Sequence, residues 1–190
     1  MRELSLSHHT AHTEHFEPTR FLAGLETLAV SEVIPHRAPM ILIDKLKHYA
    51  VDTLTTCTHI SEHSAYFNST LNGVPNYVGI EYMAQSIAAL AGVEAKLKQD
   101  KIRVGFLLGS RKLNLHIPSF VLGKTYHTEV KRLYQEASGL AVFDCHIFIE
   151  ATATEPKIIV ASANVNVFQP QDTQAYIHNS SHQNDNKAPQ

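Results

Sequence analysis

The apolar positions between about Tyr77 and Lys98 predict one long helix. Apolar residues recur there at steps of three, four, three and seven residues, which is helical spacing. These positions are Ile80, Met83, Ile87, Leu90 and Leu97. The opposite face carries small residues rather than charged ones, namely Ala84, Ala88, Ala89, Ala91 and Gly92. A helix that lacks a charged face for about four turns is expected to be buried on most sides.

Stretches on both sides of this helix have the character of β-strands. The predicted strands are a buried one starting at 40–44, one at 54–60, and three alternating ones at 124–134, 140–150 and 158–168, with a further apolar run at 104–108. A sheet with one apolar face must bury that face against another element. The pattern therefore predicts an α+β domain in which a curved antiparallel sheet wraps around one long central helix.

The two ends of the chain differ in composition from this central part. Residues 1–25 are polar and rich in histidine (His8, His9, His12 and His15), and residues 170–190 are again polar. Neither end has the apolar residues that would order it. We therefore predict a flexible tail at 1–25, a folded domain at 26–169 and a disordered tail at 170–190.

Charge and composition exclude several classes of partner. The net charge is -2 at pH 7, which gives no reason to expect nucleic acid or an anionic membrane surface as partner. No apolar run reaches the roughly 18 residues of a membrane span, and the N-terminus lacks a signal-peptide layout. Cys57 and Cys145 lie in strand-like runs without metal-ligand spacing. A cytoplasmic protein with reduced thiols is expected.

Two short segments carry the candidate chemistry. Glu81 stands at the start of the apolar helix, where a carboxylate must be paired, protonated or used. Forty-five residues earlier, residues 35–39 read Pro-His-Arg-Ala-Pro, with a histidine at His36. A carboxyl group and an imidazole are the side chains most suited to acid–base catalysis near neutral pH.

These segments resemble the hotdog-fold 3-hydroxyacyl-[acyl-carrier-protein] dehydratases. Residues 35–44 are similar to that family's opening Pro-His-Arg signature, and residues 74–85 are similar to the stretch that enters its central helix. The Pro-His-x-Ala-Pro-Met start and the proline shortly before the Glu-x-Met-Ala-Gln-like helix resemble the branch found in aryl polyene biosynthesis gene clusters. The resemblance covers about residues 28–168.

The sequence departs from the family at one catalytic position. Familiar members carry a histidine in a Gly-His-Phe-Pro-Gly turn about fourteen residues before the glutamate, but that count from Glu81 arrives at Phe67. His63 is four residues too early. The base that takes the C2 proton could therefore be His36, His63 or neither, while Glu81 could act as the acid.

Residues close to Glu81 in the sequence are candidates for positioning it and for binding substrate. Gln85 lies one helical turn on and could orient the Glu81 carboxyl by a hydrogen bond. Gln85, Asn76 and Tyr77 are the predicted substrate-binding residues, and no metal site is predicted.

The function implied is dehydration of 3-hydroxyacyl-carrier-protein to trans-2-enoyl-carrier-protein in fatty acid-like or aryl polyene biosynthesis. No metal or redox cofactor is implied. The phosphopantetheine arm of the substrate comes with the acyl carrier protein rather than with this chain. A homodimer, or a heterodimer with a second hotdog protein, is expected. Two alternatives stay open: a hotdog acyl thioesterase, since one fold hosts several chemistries, and a non-catalytic partner subunit of a heterodimeric dehydratase.

Overall fold

The computed structural model describes residues 16–171. Strands in which more buried and more exposed residues alternate build most of its sheet. The strands are β1 (Lys45–Ala50), β2 (Thr53–His59), β3 (Gly73–Pro75), β4 (Phe106–Leu115), β5 (Ser119–Val121), β6 (Thr125–Gln135), β7 (Leu140–Ile149) and β8 (Ile158–Phe168). Within the described residues, six of them form one antiparallel sheet in the order β1-β2-β6-β7-β8-β4. The strands β3 and β5 form a separate antiparallel pair.

The central helix α2 (Gly79–Leu97) packs against β2, β6, β7 and β8 of this sheet. It follows a 3-10 turn at Asn76–Val78. It ends before Gln99, whose positive φ of 53° is incompatible with a further helical turn. The face toward the sheet is buried, through Tyr82, Met83, Ser86, Ile87, Ala89, Leu90 and Val93 among others. The predicted α+β hotdog architecture, one long helix inside a curved antiparallel sheet, is confirmed.

The folded part of the chain starts earlier than the predicted boundary at residue 26. A short helix α1 (Pro18–Ala23) is followed by 3-10 turns at Leu25–Thr27 and Val30–Glu32. Phe21 and Leu22 pack against the core, and Leu25 belongs to it. The prediction of a flexible tail was therefore wrong for this part, because three apolar side chains here are enough to hold it on the domain. The predicted tail residues 1–15, with their histidines, and 172–190 lie outside the described residues.

The N-terminal segment lies directly against the small face of α2. A Cβ atom placed on Gly92 would stand 1.7 Å from the carbonyl oxygen of Val33, far inside contact distance. Val33 itself is fully buried. Glycine at position 92 is therefore required because the backbone of another segment occupies the space of its side chain.

The first predicted strand was placed wrongly. It was expected to start at 40–44, but β1 begins at Lys45. Leu42 and Ile43 are buried as expected. The Leu42 N–H and the Met40 carbonyl both bond to the side chain of Gln85 on α2 rather than to a strand. Backbone pairing with β2 starts only at Asp44, whose N–H donates to the Cys57 carbonyl at 2.9 Å. Burial alone does not distinguish a strand from an extended segment held by side chains.

The later strands agree with the alternation of the sequence. The predicted ranges for β2, β6, β7 and β8 were confirmed to within one residue at each end. The strand β4 extends well beyond the predicted apolar run at 104–108, and its pairing with β8 is interrupted by two irregularities. The strands β3 and β5 were missed because three residues are too few to show a period. No helix within residues 16–171 is long and apolar enough to cross a membrane.

Gly92→Ala tests the close approach of Val33 to α2. Alanine in an open helix position would stabilise the protein by roughly 0.5–1 kcal/mol, but overpacking against a backbone atom costs about 1–3 kcal/mol. We expect the free energy of unfolding, measured by urea denaturation, to fall. The matched control is Gly105→Ala, where a new Cβ has its nearest neighbour 3.7 Å away. Equal stability of the two variants would contradict this packing.

Candidate active site

Gln85 binds three groups at once in the interior of the protein. Its residue is completely buried, its Oε1 accepts the Leu42 N–H at 2.8 Å, and its Nε2 donates to the Met40 carbonyl at 2.7 Å. The same Nε2 donates to Glu81 Oε1 at 2.9 Å, so the predicted hydrogen bond to the carboxyl is present. Because these bonds use both N–H groups and the oxygen, and the side chain is buried, Gln85 has no polar group left to contact a ligand directly.

His36 lies beside the same carboxyl oxygen. His36 Nε2 is 3.9 Å from Glu81 Oε1, and the two side chains are 32% and 35% exposed. This distance is too long for a direct hydrogen bond but short enough for an ion pair with a protonated imidazole. Catalytic hydrogen bonds are often long without substrate and shorten when it binds. The fold thus brings together two groups that stand forty-five residues apart in the sequence.

Arg37 holds the loop that presents His36. Its guanidinium donates through one nitrogen to the Ile34 carbonyl at 2.9 Å and to the His36 carbonyl at 2.7 Å. The guanidinium of Arg37 is thus bound to nearby backbone carbonyls. These bonds restrict the conformation of the loop between the N-terminal segment and Met40.

A long groove leads from this pair along α2. The cavity has a volume of about 700 Å³, and His36 and Glu81 line one end of it. Its floor is the small-residue face of the helix, through Ala84, Ala88, Ala91 and Ala95. At 1.5 Å per residue this floor is about 16 Å long. A slender, extended molecule is the shape that fits such a groove.

One wall of the groove is fixed by Arg132 on β6. Its guanidinium bonds Asp52, in the turn between β1 and β2, at 2.5 Å and Glu94 on α2 at 2.7 Å, and it lies over the ring of Phe143. Burial alone would lower the pKa of Arg132, but the two carboxylates outweigh it and raise that pKa. This network was not predicted from the sequence, although Glu94 is the first acidic residue after Glu81 in the helix.

The predicted substrate residues Asn76 and Tyr77 do not line the groove. The Asn76 amide donates to the Ile117 carbonyl at 2.7 Å, and its backbone N–H donates to the Pro118 carbonyl at 3.2 Å. Asn76 therefore anchors the start of α2 to the segment before β5. Tyr77 is 64% exposed. Both residues are therefore close to Glu81 in the sequence but lie outside the groove.

Of the two candidate histidines, the structure brings only His36 to Glu81. His63 is exposed in the loop after β2, where its N–H donates to Ser61 Oγ at 3.2 Å, and it does not line the groove. Phe67, at the position of the family's turn histidine, is partly buried and packs against the core. The aromatic ring at this position therefore has a packing role.

The described residues contain no group of three or more histidine, cysteine, aspartate or glutamate side chains that could hold a metal ion. One of the histidines on the strands, His127, has a packing role instead: its ring stacks on Phe148, and burial lowers the pKa of its imidazole. Asp44 accepts the His59 N–H at 2.6 Å and so joins the ends of β1 and β2.

Comparison with known proteins gives a consistent family assignment. The model of the ApeP-like family, described as ApeP dehydratase, matches residues 28–178. The chain is 27% identical over 90 residues to the 3-hydroxyacyl-[acyl-carrier-protein] dehydratase FabZ of Streptococcus pneumoniae serotype 4, covering 47% of this chain and 64% of that protein. It is 29% identical over 86 residues to FabZ of Streptococcus thermophilus, covering 45% and 60%. The chain thus spans less than two thirds of the length of these relatives.

A solved structure also shares the fold. A chain of the dehydratase heterocomplex ApeI:P from Xenorhabdus doucetiae superposes with a TM-score of 0.69 at 24% identity, covering 78% of this chain and 95% of that one. At this level of identity the likeness demonstrates a common fold.

Replacing Gln85 by leucine tests its role as a buried connector. The substitution leaves the buried Leu42 N–H and the part-buried Met40 carbonyl without their partner, and an unsatisfied buried group costs about 1–3 kcal/mol. We expect the free energy of unfolding to fall by about 2 kcal/mol or more in urea denaturation. The matched control is Gln135→Leu at an exposed position, which is expected to stay within about 0.5 kcal/mol. An unchanged stability of Gln85→Leu would contradict the hydrogen bonds described.

Proposed function

Because the chain belongs to the ApeP-like family of dehydratases, we propose that it converts 3-hydroxyacyl-carrier-protein to trans-2-enoyl-carrier-protein and water. The observation that carries the proposal is the proximity of His36 and Glu81, whose Nε2 and Oε1 atoms lie 3.9 Å apart in the lining of a groove. The similarity to FabZ proteins supports this substrate class, and the family supports a place in aryl polyene biosynthesis in the cytoplasm.

The reaction needs one proton removed and one proton supplied. We assign the base to His36, whose Nε2 takes the proton from C2, and the acid to Glu81, which protonates the C3 hydroxyl so that it leaves as water. The electron pair of the C2–H bond forms the C2–C3 double bond as the C3–O bond breaks. The imidazolium and carboxylate that remain are close enough for the proton to pass back to Glu81, which restores the starting state.

Gln85 would keep the acid in position during this cycle. Its amide N–H bonds one carboxyl oxygen in the ground state and can remain bound when Glu81 becomes a carboxylate, a form that strengthens the hydrogen bond. The start of a helix also favours the negative charge that Glu81 acquires after proton transfer. Both effects lower the energy of the state that follows loss of water.

The edge of the sheet supports a dimer. Among residues 16–171, β4 pairs with β8 on one side only, and Leu107, Leu108 and Leu113 on this strand are 43%, 57% and 41% exposed. An exposed edge strand with apolar side chains is suited to pairing with another chain. We propose that a second hotdog subunit, identical or different, occupies this edge. The likeness to a chain of the ApeI:P heterocomplex favours a different subunit.

A second candidate function is that of a non-catalytic partner in such a heterodimer. The observation that favours it is Phe67, which stands where the family carries its turn histidine. In that case the companion subunit would supply the complete acid–base machinery, and changes at Glu81 would leave turnover of the complex intact.

The variant Glu81→Gln separates these functions. We expect the wild-type chain with its companion subunit to remove water from a 3-hydroxyacyl-carrier-protein. Intact mass spectrometry of the carrier protein measures this loss of water. Glu81→Gln should slow this loss at least about 100-fold, because amide cannot supply the proton. Glu62→Gln, an exposed acid in the loop after β2, is the matched control. Undiminished water loss in Glu81→Gln would establish the partner role, and release of free acid would identify a thioesterase.

Separate replacement of the two histidines tests the assignment of the base. His36→Ala should lower kcat about 100-fold, since general base catalysis contributes typically that much or more. His63→Ala should leave kcat unchanged, because His63 does not line the groove. The readout is the initial rate of enoyl formation by the complex. Full activity of His36→Ala would remove this residue from the mechanism.

A further inference from the structure

The edge strand β4 carries two cations at its centre. Its midpoint lies between Ser110 and Arg111, so Arg111 and Lys112 stand in the middle of the edge that β4 leaves open among residues 16–171. Both side chains are exposed, and neither forms an ion pair with any residue in that range. The centre of this edge is therefore positively charged.

Neither β4 nor the strand beside it neutralises this charge. The sequences of β4 and β8 contain no aspartate or glutamate. Arg111 is in register with Asn164 on β8, and Asp144 stands one strand further away on β7, beside Lys131 of β6. The sequence has no acidic residue between positions 101 and 128. The charge at the edge is thus available to a partner.

The backbone of β4 is irregular at the same place. Lys112 has a positive φ of 52°, and the pairing of β4 with β8 is interrupted between Arg111 and Asn114 and again between Leu107 and Gly109. Native proteins use bulges and charged side chains, lysine above all, to keep an edge strand from pairing with unwanted chains. The strand β4 has both of these features.

The same edge also exposes apolar side chains whose burial would be favourable. Leu107, Leu108 and Leu113 flank the two cations on both sides along the strand, and all three are exposed. Covering them removes apolar surface from water, which favours association. A partner that covers the leucines without neutralising the cations would desolvate two unpaired charges, which is costly. The edge therefore suits a partner that supplies both apolar contact and negative charge.

A second copy of this chain does not meet that requirement. In a two-fold antiparallel pair of whole β4 strands, the axis passes the midpoint of the strand, so the cations of both copies come together there. Arg111 of one copy is then a diagonal neighbour of Lys112 of the other, about 7–8 Å away and within reach of long side chains. Because like charges at neighbouring cross-strand positions repel, self-pairing is disfavoured.

We propose that Arg111 and Lys112 make the β4 edge selective: they oppose pairing between two copies of this chain and favour a different subunit whose edge strand carries aspartate or glutamate opposite them. This inference rests on the second hotdog subunit proposed above for this edge, and it adds the rule by which that subunit is chosen. The leucines provide the apolar contact, and the charges provide the discrimination. Specificity is the difference in free energy between the two kinds of pair.

Copies of this chain with altered charge serve as partners of known composition. The variant Arg111→Glu/Lys112→Glu supplies an acidic edge, and Arg111→Gln/Lys112→Gln supplies a neutral one. The matched control is Lys124→Glu/Lys131→Glu, which reverses the charge of two exposed lysines outside β4. The full-length wild type and each variant are measured alone and in mixtures with wild type, by sedimentation velocity at low and high salt. Native mass spectrometry distinguishes mixed pairs from self-pairs.

At low salt, wild type should pair with the glutamate variant at least about tenfold more tightly than it pairs with itself, because opposite charges replace like charges. The neutral variant should pair with itself more tightly than wild type does, because the repulsion is removed. High salt should bring self-pairing of wild type close to that of the neutral variant, since exposed charges are screened. The control variant should behave as wild type does, alone and in the mixture.

Self-pairing of wild type at low salt that is as tight as self-pairing of the neutral variant would overturn the inference. Equal affinities of mixed pairs and self-pairs would also overturn it, and so would the absence of pairing in every sample. The comparison of wild type with the neutral variant decides the question even if the glutamate variant does not fold. Because no substrate is used, charge-selective pairing together with a failed dehydration assay would contradict the proposed reaction alone.

Discussion

The buried carboxamide of Gln85 is the interaction on which the site depends. It joins α2 to the extended segment 40–42 and holds the Glu81 carboxyl on the same nitrogen. The bond to Leu42 is buried and the bonds to Met40 and Glu81 are part-buried, so their loss costs more than the loss of bonds between fully exposed groups. His36 lies four residues before Met40, in a loop that Gln85 holds at Met40 and Arg37 holds at the Ile34 and His36 carbonyls.

The helix α2 has two faces with different functions, and the size of the side chains on each face determines its function. Its large apolar residues pack on the sheet and stabilise the fold through burial. Its small residues leave room for other chain or ligand: Gly92 admits the Val33 backbone, and the alanines form the groove floor. Arg132 then binds Asp52 and Glu94, which keeps the turn between β1 and β2 at the wall of the groove.

Much of this fold could be predicted from periodicity, and the failures have physical causes. Helical spacing located α2, and alternation located β2, β6, β7 and β8, because each has one face in the core. The start of β1 was misplaced because Leu42 is buried by a side-chain bond rather than by strand pairing. The hydrogen bond from Gln85 to Glu81 was predictable from the one-turn spacing, whereas the proximity of His36 needed the fold. The position of Asn76 outside the groove also needed the fold, because its partner, the Ile117 carbonyl, is distant in sequence.

The central claim is that Glu81 and His36 perform the proton transfers. Incorporation of solvent deuterium at C2 during the reverse reaction, hydration, tests it most directly. The complex of this chain with its companion is incubated in D2O with a trans-2-enoyl pantetheine thioester, and the hydrated product is analysed by mass spectrometry and NMR. We predict a 3-hydroxyacyl product with one deuterium at C2, formed by the wild type and lost in both Glu81→Gln and His36→Ala. Undiminished hydration and C2 labelling in these two variants would contradict the account and assign the chemistry to the companion subunit.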